Sequence, residues 1–331
     1  MNSTPSQIPT PPVVCLGELL VDLIADKPGR LSEVSSFQKC PGGAPANVAV
    51  GIARLGTPCG FIGKVGADVF GKFLVAELAR NQVNTQGIIY TDQAPTALAF
   101  VSRSETGERE FLFYREPCAD VILTETELPL EWLHNTKYLH CGGVSLTRNP
   151  SRQATTYAMQ VAKKHGATIS FDPNLRPELW VRGLAEYQQT VKQILSKVDI
   201  FLPSEDELAA LVGKKDQVKA LYEVHALGPS IICLKLGKDG SLISTQADDG
   251  TITQFTQAPF DVPVLDTTGA GDGFNAGLLV GLANGLPLAD AVIQGTSVAS
   301  LVITKIGAMT ALPTLDELVD FQRKSGHNFA K

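Results

Sequence analysis

The sequence lacks any close pair of cysteines: its 331 residues include six, and none of them forms a CxxC motif. That scatter argues against a disulfide framework or a zinc site and is typical of reduced, buried thiols. The five histidines add no HExxH pair that would bind zinc. We therefore expect a protein of a reducing compartment, the cytoplasm, without a cysteine or histidine metal site.

Basic residues are also few, because 28 lysines and arginines stand against 34 acidic residues and leave a formal net charge of −6. No run of lysine or arginine occurs, whereas a protein that coats nucleic-acid phosphates shows the opposite balance. No apolar stretch reaches the ~18 residues that a membrane helix needs. Residues 1–12 are polar and proline-rich, without the apolar region of a signal peptide. We expect neither nucleic acid nor membrane as a partner, and a disordered tail over residues 1–12.

Glycine is abundant, with 30 residues, and short apolar runs alternate with amphipathic segments. Val13 to Leu16 predicts a first strand, and apolar residues at helical spacing after Pro45 predict a helix that Gly56 ends. Similar strand and helix pairs follow as far as residue 234. This alternation predicts an α/β fold with a mostly parallel sheet that helices cover on both faces.

One interval departs from that alternation. Residues 97–102 and 110–114 are two β-type runs around a turn at 105–108, which predicts a hairpin. With residues 23–25 and 34–37 they would form a small separate sheet. Flaps of this kind near a ligand site often carry function, so we predict a lid built from about 22–40 and 95–117.

The richest motif, DTTGAGDGFNAG, runs from Asp266 to Gly277 and leads into a helix. The small residues Gly269, Ala270 and Gly271 let backbone N–H groups converge at the helix N-terminus, where the dipole favours an anion. Asp272 would repel a phosphate there unless it serves as the base that takes a proton from an attacking hydroxyl. The alternative is a helix cap worth ~1 kcal/mol, and the residues alone leave both open.

Two other nucleotide motifs match only in part. The GxGxxA spacing from Gly271 to Ala276 fits the loose dinucleotide fingerprint, but too little sequence follows for the rest of a binding half. The segment from Gly66 to Phe73 approaches a P-loop, but Phe73 stands where a magnesium-binding hydroxyl is needed. We interpret both as coincidences of a glycine-rich chain.

A second glycine-rich segment precedes the first helix. Gly42 and Gly43 permit close approach of a small ligand, and the Asn47 side chain can both donate and accept hydrogen bonds. Asp22 would add an acceptor suited to neighbouring hydroxyls. A tight loop with a polar cap is the alternative.

A third polar segment, Asp172 to Arg176, follows a predicted strand, and ligands bind at the carboxyl ends of strands in open α/β sheets. Arg176 is a candidate for recognising an anion or a hydroxyl. Tyr114 and Arg115, at the end of the hairpin, are candidates of the same kind. A surface turn is the alternative for this segment.

Together these motifs resemble the ribokinase-like (PfkB) family of carbohydrate kinases over nearly the whole chain, from Val13 to about Leu318. Within the family the chain is most similar to plant and bacterial fructokinases, notably at 107–111, 113–115 and 172–176. The resemblance implies a doubly wound sheet in one kinase domain over 13–325, with a β-sheet lid. It also implies ATP and Mg²⁺ as cofactors, and a homodimer that forms through the lid.

The resemblance further implies roles for individual residues. Asp272 would be the base, and the backbone of Gly269, Ala270 and Gly271 the anion hole. The sugar site would comprise Asp22, Gly42, Gly43, Asn47, Tyr114, Arg115, Asp172, Asn174 and Arg176. The nucleotide site would comprise Ser204, Glu207, Lys235, Gly237, Gly240 and Thr296, with Glu207 holding Mg²⁺ through water. A looser match extends to a K⁺ site at Asp266, Thr268 and Gly307.

Three of these positions depart from the family pattern. Ser204 replaces a frequent asparagine, Lys235 a frequent threonine, and Thr296 a frequent asparagine near the adenine. The expected activity is nevertheless that of a phosphotransferase with an alcohol acceptor, which converts D-fructose and ATP into D-fructose 6-phosphate and ADP.

The sequence leaves four alternatives open, and the first is another sugar kinase of the PfkB family. A 2-keto-3-deoxygluconate kinase would bind its substrate's carboxylate with Tyr114 and Arg115 or with Arg176. A catalytically silent kinase-like partner protein would have no need of Asp272. A dehydrogenase would require a nicotinamide cofactor.

Overall fold

The structure is a computed structural model that describes residues 10–103, 109–213 and 216–327. The strands are β1 (Val13–Leu16), β2 (Leu20–Ala25), β3 (Phe37–Gly42), β4 (Cys59–Gly66), β5 (Asn84–Thr91), β6 (Leu98–Arg103), β7 (Arg109–Tyr114), β8 (Tyr138–Gly142), β9 (Thr168–Asp172), β10 (Ile200–Phe201), β11 (Ile231–Lys235), β12 (Ser241–Gln246) and β13 (Ile252–Gln257). The α-helices are α1 (Ala44–Arg54), α2 (Val69–Arg80), α3 (Leu130–Asn135), α4 (Ser151–Lys164), α5 (Gly183–Leu195), α6 (Glu205–Val212), α7 (Gln217–His225), α8 (Ala270–Ala283), α9 (Leu288–Ile303) and α10 (Leu315–Lys324).

Nine strands form one large sheet in the order β13-β12-β11-β10-β9-β8-β1-β4-β5. Pairing is parallel from β5 to β11, and β12 and β13 are added antiparallel. All four residues of β1 and all eight of β4 are buried, as in a sheet that helices cover on both faces. The predicted fold class, a doubly wound and mostly parallel α/β sheet with a small second sheet, is confirmed.

The chain order creates a crevice in this sheet. From β1 the chain proceeds to β4 on one side, and it returns later to β8 on the other side. A reversal of this kind leaves an opening at the carboxyl ends of the flanking strands, where ligands bind in open α/β sheets. The residues that follow β1, β8 and β9 therefore face one shared opening.

The second sheet has four strands in the order β3-β2-β6-β7. The predicted hairpin strands are present as the antiparallel pair β6 and β7, while its predicted turn at 105–108 lies outside the described residues. The predicted strand over 34–37 is wrong in position. β3 begins only at Phe37 and continues to Gly42, because it pairs with the whole of β2. In this antiparallel pair Ala25 lies opposite Phe37, and Leu20 lies opposite Gly42.

Residues 262–265, directly before the motif that begins at Asp266, form no strand, and Val264 and Leu265 lie exposed. Residues 1–9 lie outside the described part, but the Pro12 carbonyl already accepts the N–H groups of Lys137 and Tyr138 at 2.9 and 3.0 Å. Ordered structure thus begins before Val13.

The six cysteines are all free thiols, and five of them are buried. Within the described ranges no helix is long and apolar enough to cross a membrane.

Candidate active site

A cleft of about 1090 Å³ lies between the crevice of the large sheet and the inner face of the small sheet. Both glycine-rich segments reach it, although more than 200 residues separate them in the chain. The sequence-predicted residues that line it are Asp22, Gly43, Asn47, Asp172, Asn174, Arg176, Ser204, Glu207, Lys235, Gly237, Asp266, Thr268, Gly269, Gly271, Asp272 and Gly307. Most of the predicted site therefore converges in one place.

Other predicted site residues do not line the cleft. Tyr114 is 61% exposed, and its ring packs edge-on against Phe100. The Thr296 hydroxyl is buried within α9 and donates to the Val292 carbonyl at 2.9 Å. Gly240 ends the short turn after β11, in the left-handed region at φ 87°. The side chains of Tyr114 and Thr296 therefore have no contact with the cleft.

Arg115 is the candidate whose surroundings differ most from a substrate ligand. It is 4% exposed, and its Nη2 and Nε atoms lie 2.5 and 2.7 Å from Asp120 Oδ2. Its Nη1 atom also donates to the Thr147 hydroxyl at 3.0 Å. The guanidinium charge is thus neutralised inside the protein rather than presented to the cleft.

Helix α8 begins at the cleft, directly after Gly269. Gly269 has a left-handed φ of 77°, and a Cβ there would lie 2.8 Å from the Ala308 Cα, so the position requires glycine. The first N–H groups of a helix have no partner within the helix, and the dipole makes its N-terminus positive. The N-terminus of α8 is therefore suited to bind a phosphate group.

Asp272 connects the two glycine-rich segments, because its Oδ2 atom accepts the Asn47 side-chain N–H at 2.8 Å. The helix N-cap is Gly269 and no side chain caps it, so the capping alternative for Asp272 finds no support. Burial raises the pKa of Asp272 to about 7, although the Asn47 hydrogen bond opposes that rise. A carboxyl with this pKa can take up and release a proton near neutral pH.

Asp22, on β2, also lines the cleft. Burial raises its pKa to about 7, and the Arg176 charge counteracts part of that effect. A Cβ at Gly42 would overlap the Asp22 carboxylate, and one at Gly43 would overlap the Glu18 carbonyl. Both positions thus require glycine, because their backbone lies close to β2 and to the turn before it.

Replacing Asp22 with Asn should stabilise the ligand-free protein more at about pH 8 than at about pH 4. The folded state holds a proton on Asp22 up to a pKa of about 7, whereas an unfolded aspartate has lost it above about 4. Stability therefore falls as pH rises between these values, and a neutral Asn removes that loss. We expect a Tm gain of a few degrees at the higher pH, measured by thermal unfolding.

The exposed Asp26, at the end of the same strand, supplies the matched control. Asp26→Asn should change Tm equally at both pH values. An equal shift for Asp22→Asn would contradict a buried acid at that position.

Asp172 lies at the end of β9, where three donors of this chain surround its carboxylate. Oδ2 accepts Lys235 Nζ and Asn275 Nδ2, each at 2.6 Å, and Oδ1 accepts the Asn174 backbone N–H at 3.0 Å. Burial alone would raise the pKa of Asp172, but the Lys235 ammonium and these hydrogen bonds hold it below the ordinary value. Asp172 is therefore an ionised group engaged mainly with the protein itself.

Ser204 and Glu207 form a reciprocal cap at the start of α6. The Ser204 hydroxyl accepts the Glu207 N–H at 3.3 Å, and Glu207 Oε2 accepts the Ser204 N–H at 2.8 Å. Glu207 Oε1 accepts the Leu175 N–H at 2.8 Å, and burial raises the pKa of this carboxyl. Serine at 204 thus serves as the N-cap of α6.

The residues of the predicted K⁺ site also lie together. Asp266 Oδ1 accepts the N–H and the hydroxyl of Thr268 at 3.0 and 2.6 Å, and its Oδ2 accepts the Gly307 N–H at 3.1 Å. This carboxylate joins the loop before α8 to the loop after α9. Within the described ranges, no group of three or more His, Cys, Asp or Glu side chains could hold a metal ion.

Glu18 is a cleft residue that sequence reasoning did not select. It is 3% exposed, its Oε1 atom accepts the Ala44 N–H at 3.0 Å, and its Oε2 atom has no hydrogen-bond partner in the described part of the chain. Burial raises its pKa to about 7 despite the nearby charge of Arg115. A glutamate directly behind an apolar strand that ends at the crevice is the signal that could have identified it.

Comparison with known proteins agrees with this site. A model of the pfkB family of carbohydrate kinases matches residues 11–315. A probable fructokinase-2 of Arabidopsis thaliana is 40% identical over 319 residues, which are 93% of this chain and 95% of that protein. A crystal structure of a fructokinase double mutant from Vibrio cholerae O395, in a form that binds fructose, ADP and potassium ion, is 34% identical, with a TM-score of 0.83 over 94% of this chain and 98% of that chain. A putative ribokinase II from E. coli in complex with ATP and Mg²⁺ is 28% identical, with a TM-score of 0.85 over 94% of this chain and 99% of that chain.

The fold, the cleft between its two sheets and these relatives define a sugar phosphotransferase. The chain belongs to the pfkB family of carbohydrate kinases, which matches it from residue 11 to residue 315. The resemblance that the motifs indicated is thereby confirmed, and the kinase interpretation is favoured over a dehydrogenase.

Proposed function

We propose that this protein transfers the γ-phosphoryl group of ATP to O6 of D-fructose, which yields D-fructose 6-phosphate and ADP. The observation that carries the proposal is the 2.8 Å hydrogen bond between Asn47 and Asp272 at the N-terminus of α8. It supports the proposal because it joins a polar side chain of the cleft to a carboxyl whose pKa is about 7, at a helix N-terminus that favours an anion. The fructokinases among the relatives support the choice of sugar.

Asp272 takes the proton from the O6 hydroxyl as that oxygen attacks the γ-phosphorus. The backbone N–H groups of Gly269 and Gly271, which line the cleft, form the anion hole that stabilises charge on the group in transfer, together with that of Ala270, which in this structure donates to the Thr267 carbonyl at 3.3 Å. ADP leaves with the electron pair of the bond that breaks. A catalytically silent protein would gain nothing from an ionisable carboxyl in this position.

The sugar lies against Asp22, Asn47 and Arg176, with the backbone of Gly42 and Gly43 close beneath it. Asn47 donates to Asp272 and its buried Oδ1 atom has no partner in the described part of the chain, so it would accept a sugar hydroxyl. Asn174, which lines the cleft beside Asp172, adds a further polar contact. Tyr114 and Arg115 are left out of this proposed sugar site, since neither side chain lines the cleft.

Charge favours a neutral sugar over a keto acid. The sugar end of the cleft contains the carboxyl groups of Asp22 and Glu18, which would repel a substrate carboxylate. Arg115 is neutralised by Asp120 and leaves Arg176 as the single candidate guanidinium among the described cleft residues. A 2-keto-3-deoxygluconate kinase would need more positive charge at this end.

The small sheet serves as a lid in this proposal, formed by about 22–40 and 95–117. Phe111 and Phe113 of β7 line the cleft, and the Arg176 guanidinium carbon lies 5.7 Å from the centre of the Phe111 ring. Closure over the sugar would exclude water, which would otherwise accept the phosphoryl group. The cation–π contact would link closure to the sugar pocket.

Glu207, Ser204 and the loop between Gly237 and Gly240 form the nucleotide end, whereas Thr296 is left out because its hydroxyl is bound within α9. Mg²⁺ usually retains its waters and binds through substrate phosphates, which fits a cleft that offers the single carboxylate of Glu207 to a metal-bound water. When bound, Mg²⁺ neutralises donor phosphate charge. Asp266, Thr268 and Gly307 would order a K⁺ site, as the potassium-bound relative suggests.

The position of the transferred phosphate tests this assignment. Phosphorus NMR of the product from ATP and D-fructose should show the signal of a 6-phosphate. A 1-phosphate product would contradict the proposed sugar orientation, and ATP hydrolysis without a sugar phosphate would contradict the kinase reaction.

The raised pKa of Asp272 predicts the pH dependence. A base must be ionised to accept a proton, so kcat/KM for the sugar should rise with pH and level off above about 7. Steady-state rates between about pH 5 and about pH 9 measure this profile. The rise of kcat/KM with pH should persist in Asp22→Asn, in which residue 22 no longer titrates. A wild-type profile that is flat down to about pH 5 would contradict the role of Asp272 as the base.

We propose that two copies associate through their lids. Leu112 and Tyr114 alternate with the cleft-facing phenylalanines of β7, and they are 47% and 61% exposed on its outer face. Sedimentation velocity should give the mass of a dimer, and the double substitution Leu112→Asp and Tyr114→Asp should give that of a monomer. Wild type that sediments as a monomer at micromolar concentration would contradict the lid contact.

A further inference from the structure

Lys235 is the last residue of β11, and its ammonium lies over the start of α8. A Cβ at Gly271 would lie 3.5 Å from Lys235 Nζ, within ordinary contact distance. The carboxylates of Asp172, Glu207 and Asp272 all act on its charge. The lysine therefore stands where the anion-binding backbone and the candidate base meet.

The ammonium is held in this position by a network across three elements. Lys235 on β11 and Asn275 on α8 both donate to the same Asp172 oxygen on β9, each at 2.6 Å. Although burial alone would lower it, Asp172 and Glu207 hold the pKa of Lys235 above the ordinary value, so the group remains an ammonium. An ammonium has three N–H donors, and within the described part of the chain Asp172 accepts one of them.

The balance of charges in the cleft indicates a function for the Lys235 ammonium. The backbone groups at a helix N-terminus contribute only about half an elementary charge, whereas the phosphoryl group is strongly anionic. Asp22, Glu207 and Asp272 add further negative charge to the cleft. A full positive charge beside Gly271 would offset the repulsion that the phosphoryl group meets on approaching Asp272.

Building on the proposed kinase reaction, we propose that Lys235 is a catalytic residue that contacts the phosphoryl group in transfer, and that Asp172 positions it. The bond from O6 to phosphorus forms as the bond to the leaving oxygen of ADP breaks. Asp272 takes the hydroxyl proton, while Lys235 keeps its own protons and only donates hydrogen bonds. In this proposal Lys235 contacts the phosphoryl group during its transfer and not the nucleotide in the ground state. Asp172 is then not a direct ligand of the sugar.

Lys235→Met tests whether Lys235 is catalytic, because it keeps most of the unbranched side chain and removes the charge. We expect kcat to fall by about 100- to 1000-fold, as for the loss of one oxyanion donor, with ADP affinity changed by less than about threefold. Calorimetric binding of ADP with aluminium fluoride and sugar, a mimic of the transition state, should weaken as kcat does. Lys235→Arg should recover part of both quantities.

The matched control is Lys192→Met on α5, whose ammonium lies 3.6 Å from Glu223 and does not line the cleft. It should leave kcat and binding unchanged. A loss of ADP affinity equal to the loss of kcat in Lys235→Met would overturn the proposal in favour of nucleotide binding. An unchanged kcat in a folded variant would overturn it altogether.

Asp172→Asn separates positioning from sugar binding. A positioning residue predicts a lower kcat with an unchanged KM for the sugar, whereas a sugar ligand predicts a raised KM. Thermal unfolding of each variant identifies any that fails to fold, and Lys235→Arg then carries the test. If the wild type phosphorylates a different sugar, the same measurements with that sugar test Lys235 independently of the fructose assignment.

Discussion

Asp272→Asn should lower kcat by about 100- to 10,000-fold, the contribution of a positioned general base. Asparagine keeps the size of the side chain and a partner for Asn47, but it cannot take the proton from the attacking hydroxyl. The sugar and nucleotide should bind nearly as in the wild type, because neither loses a contact. Steady-state rates with ATP and D-fructose, together with calorimetric binding of each ligand, measure the two effects separately.

The exposed Asp316, in the first turn of α10, provides the matched control for this substitution. Asp316→Asn should leave kcat unchanged. If Asp272→Asn retained turnover within about threefold of the wild type while folding normally, Asp272 would not be the base and the mechanism would fail at its first step.

Asp120→Asn should destabilise the protein by about 3–5 kcal/mol, the cost of leaving one partner of a buried ion pair without the other. Arg115 and Asp120 are 4% and 6% exposed, and two guanidinium nitrogens approach one carboxylate oxygen. The substitution removes the negative charge and leaves the guanidinium buried. Urea unfolding, with the midpoint and slope compared between variants, measures the loss.

An exposed ion pair provides the comparison. Asp320 binds Arg323 and Lys324 on the surface of α10, where solvent screens the charges, so Asp320→Asn should cost far less stability than Asp120→Asn. Replacing both Arg115 and Asp120 with leucine should be milder than Asp120→Asn alone, because no buried charge is left unpaired. If Asp120→Asn cost no more than the surface variant, Arg115 would have water or substrate as its partner instead.

The convergence of the two glycine-rich segments shows what the sequence can predict. Gly269 and Gly43 both have positive φ angles that favour glycine, and the motif around Gly269 leads directly into a helix, which predicts an anion site at the helix N-terminus. Asp272 stands out because a carboxylate among anion-binding amides requires a reason. Functional residues that lie within one short stretch of chain could therefore be predicted from the sequence alone.

Contacts between residues that are far apart in the sequence could not be predicted in this way. Lys235 and Asp172 are 63 positions apart, and only the parallel order of β9, β10 and β11 brings them together. Arg115 looked like a substrate ligand because the sequence shows its charge but not its burial beside Asp120. Likewise, the strands β5, β12 and β13 escaped prediction because they mix polar with apolar residues, and β5 and β13 also lie at the sheet edges.

The central claim is that this cleft phosphorylates a neutral ketohexose at the expense of ATP. An assay that couples ADP formation to NADH oxidation, run on a panel with D-fructose, D-ribose and 2-keto-3-deoxygluconate, tests it most directly. We predict the highest kcat/KM for D-fructose and at least about tenfold less for the keto acid, a difference of about 1.4 kcal/mol at the sugar end. Faster turnover of the keto acid than of fructose would contradict it.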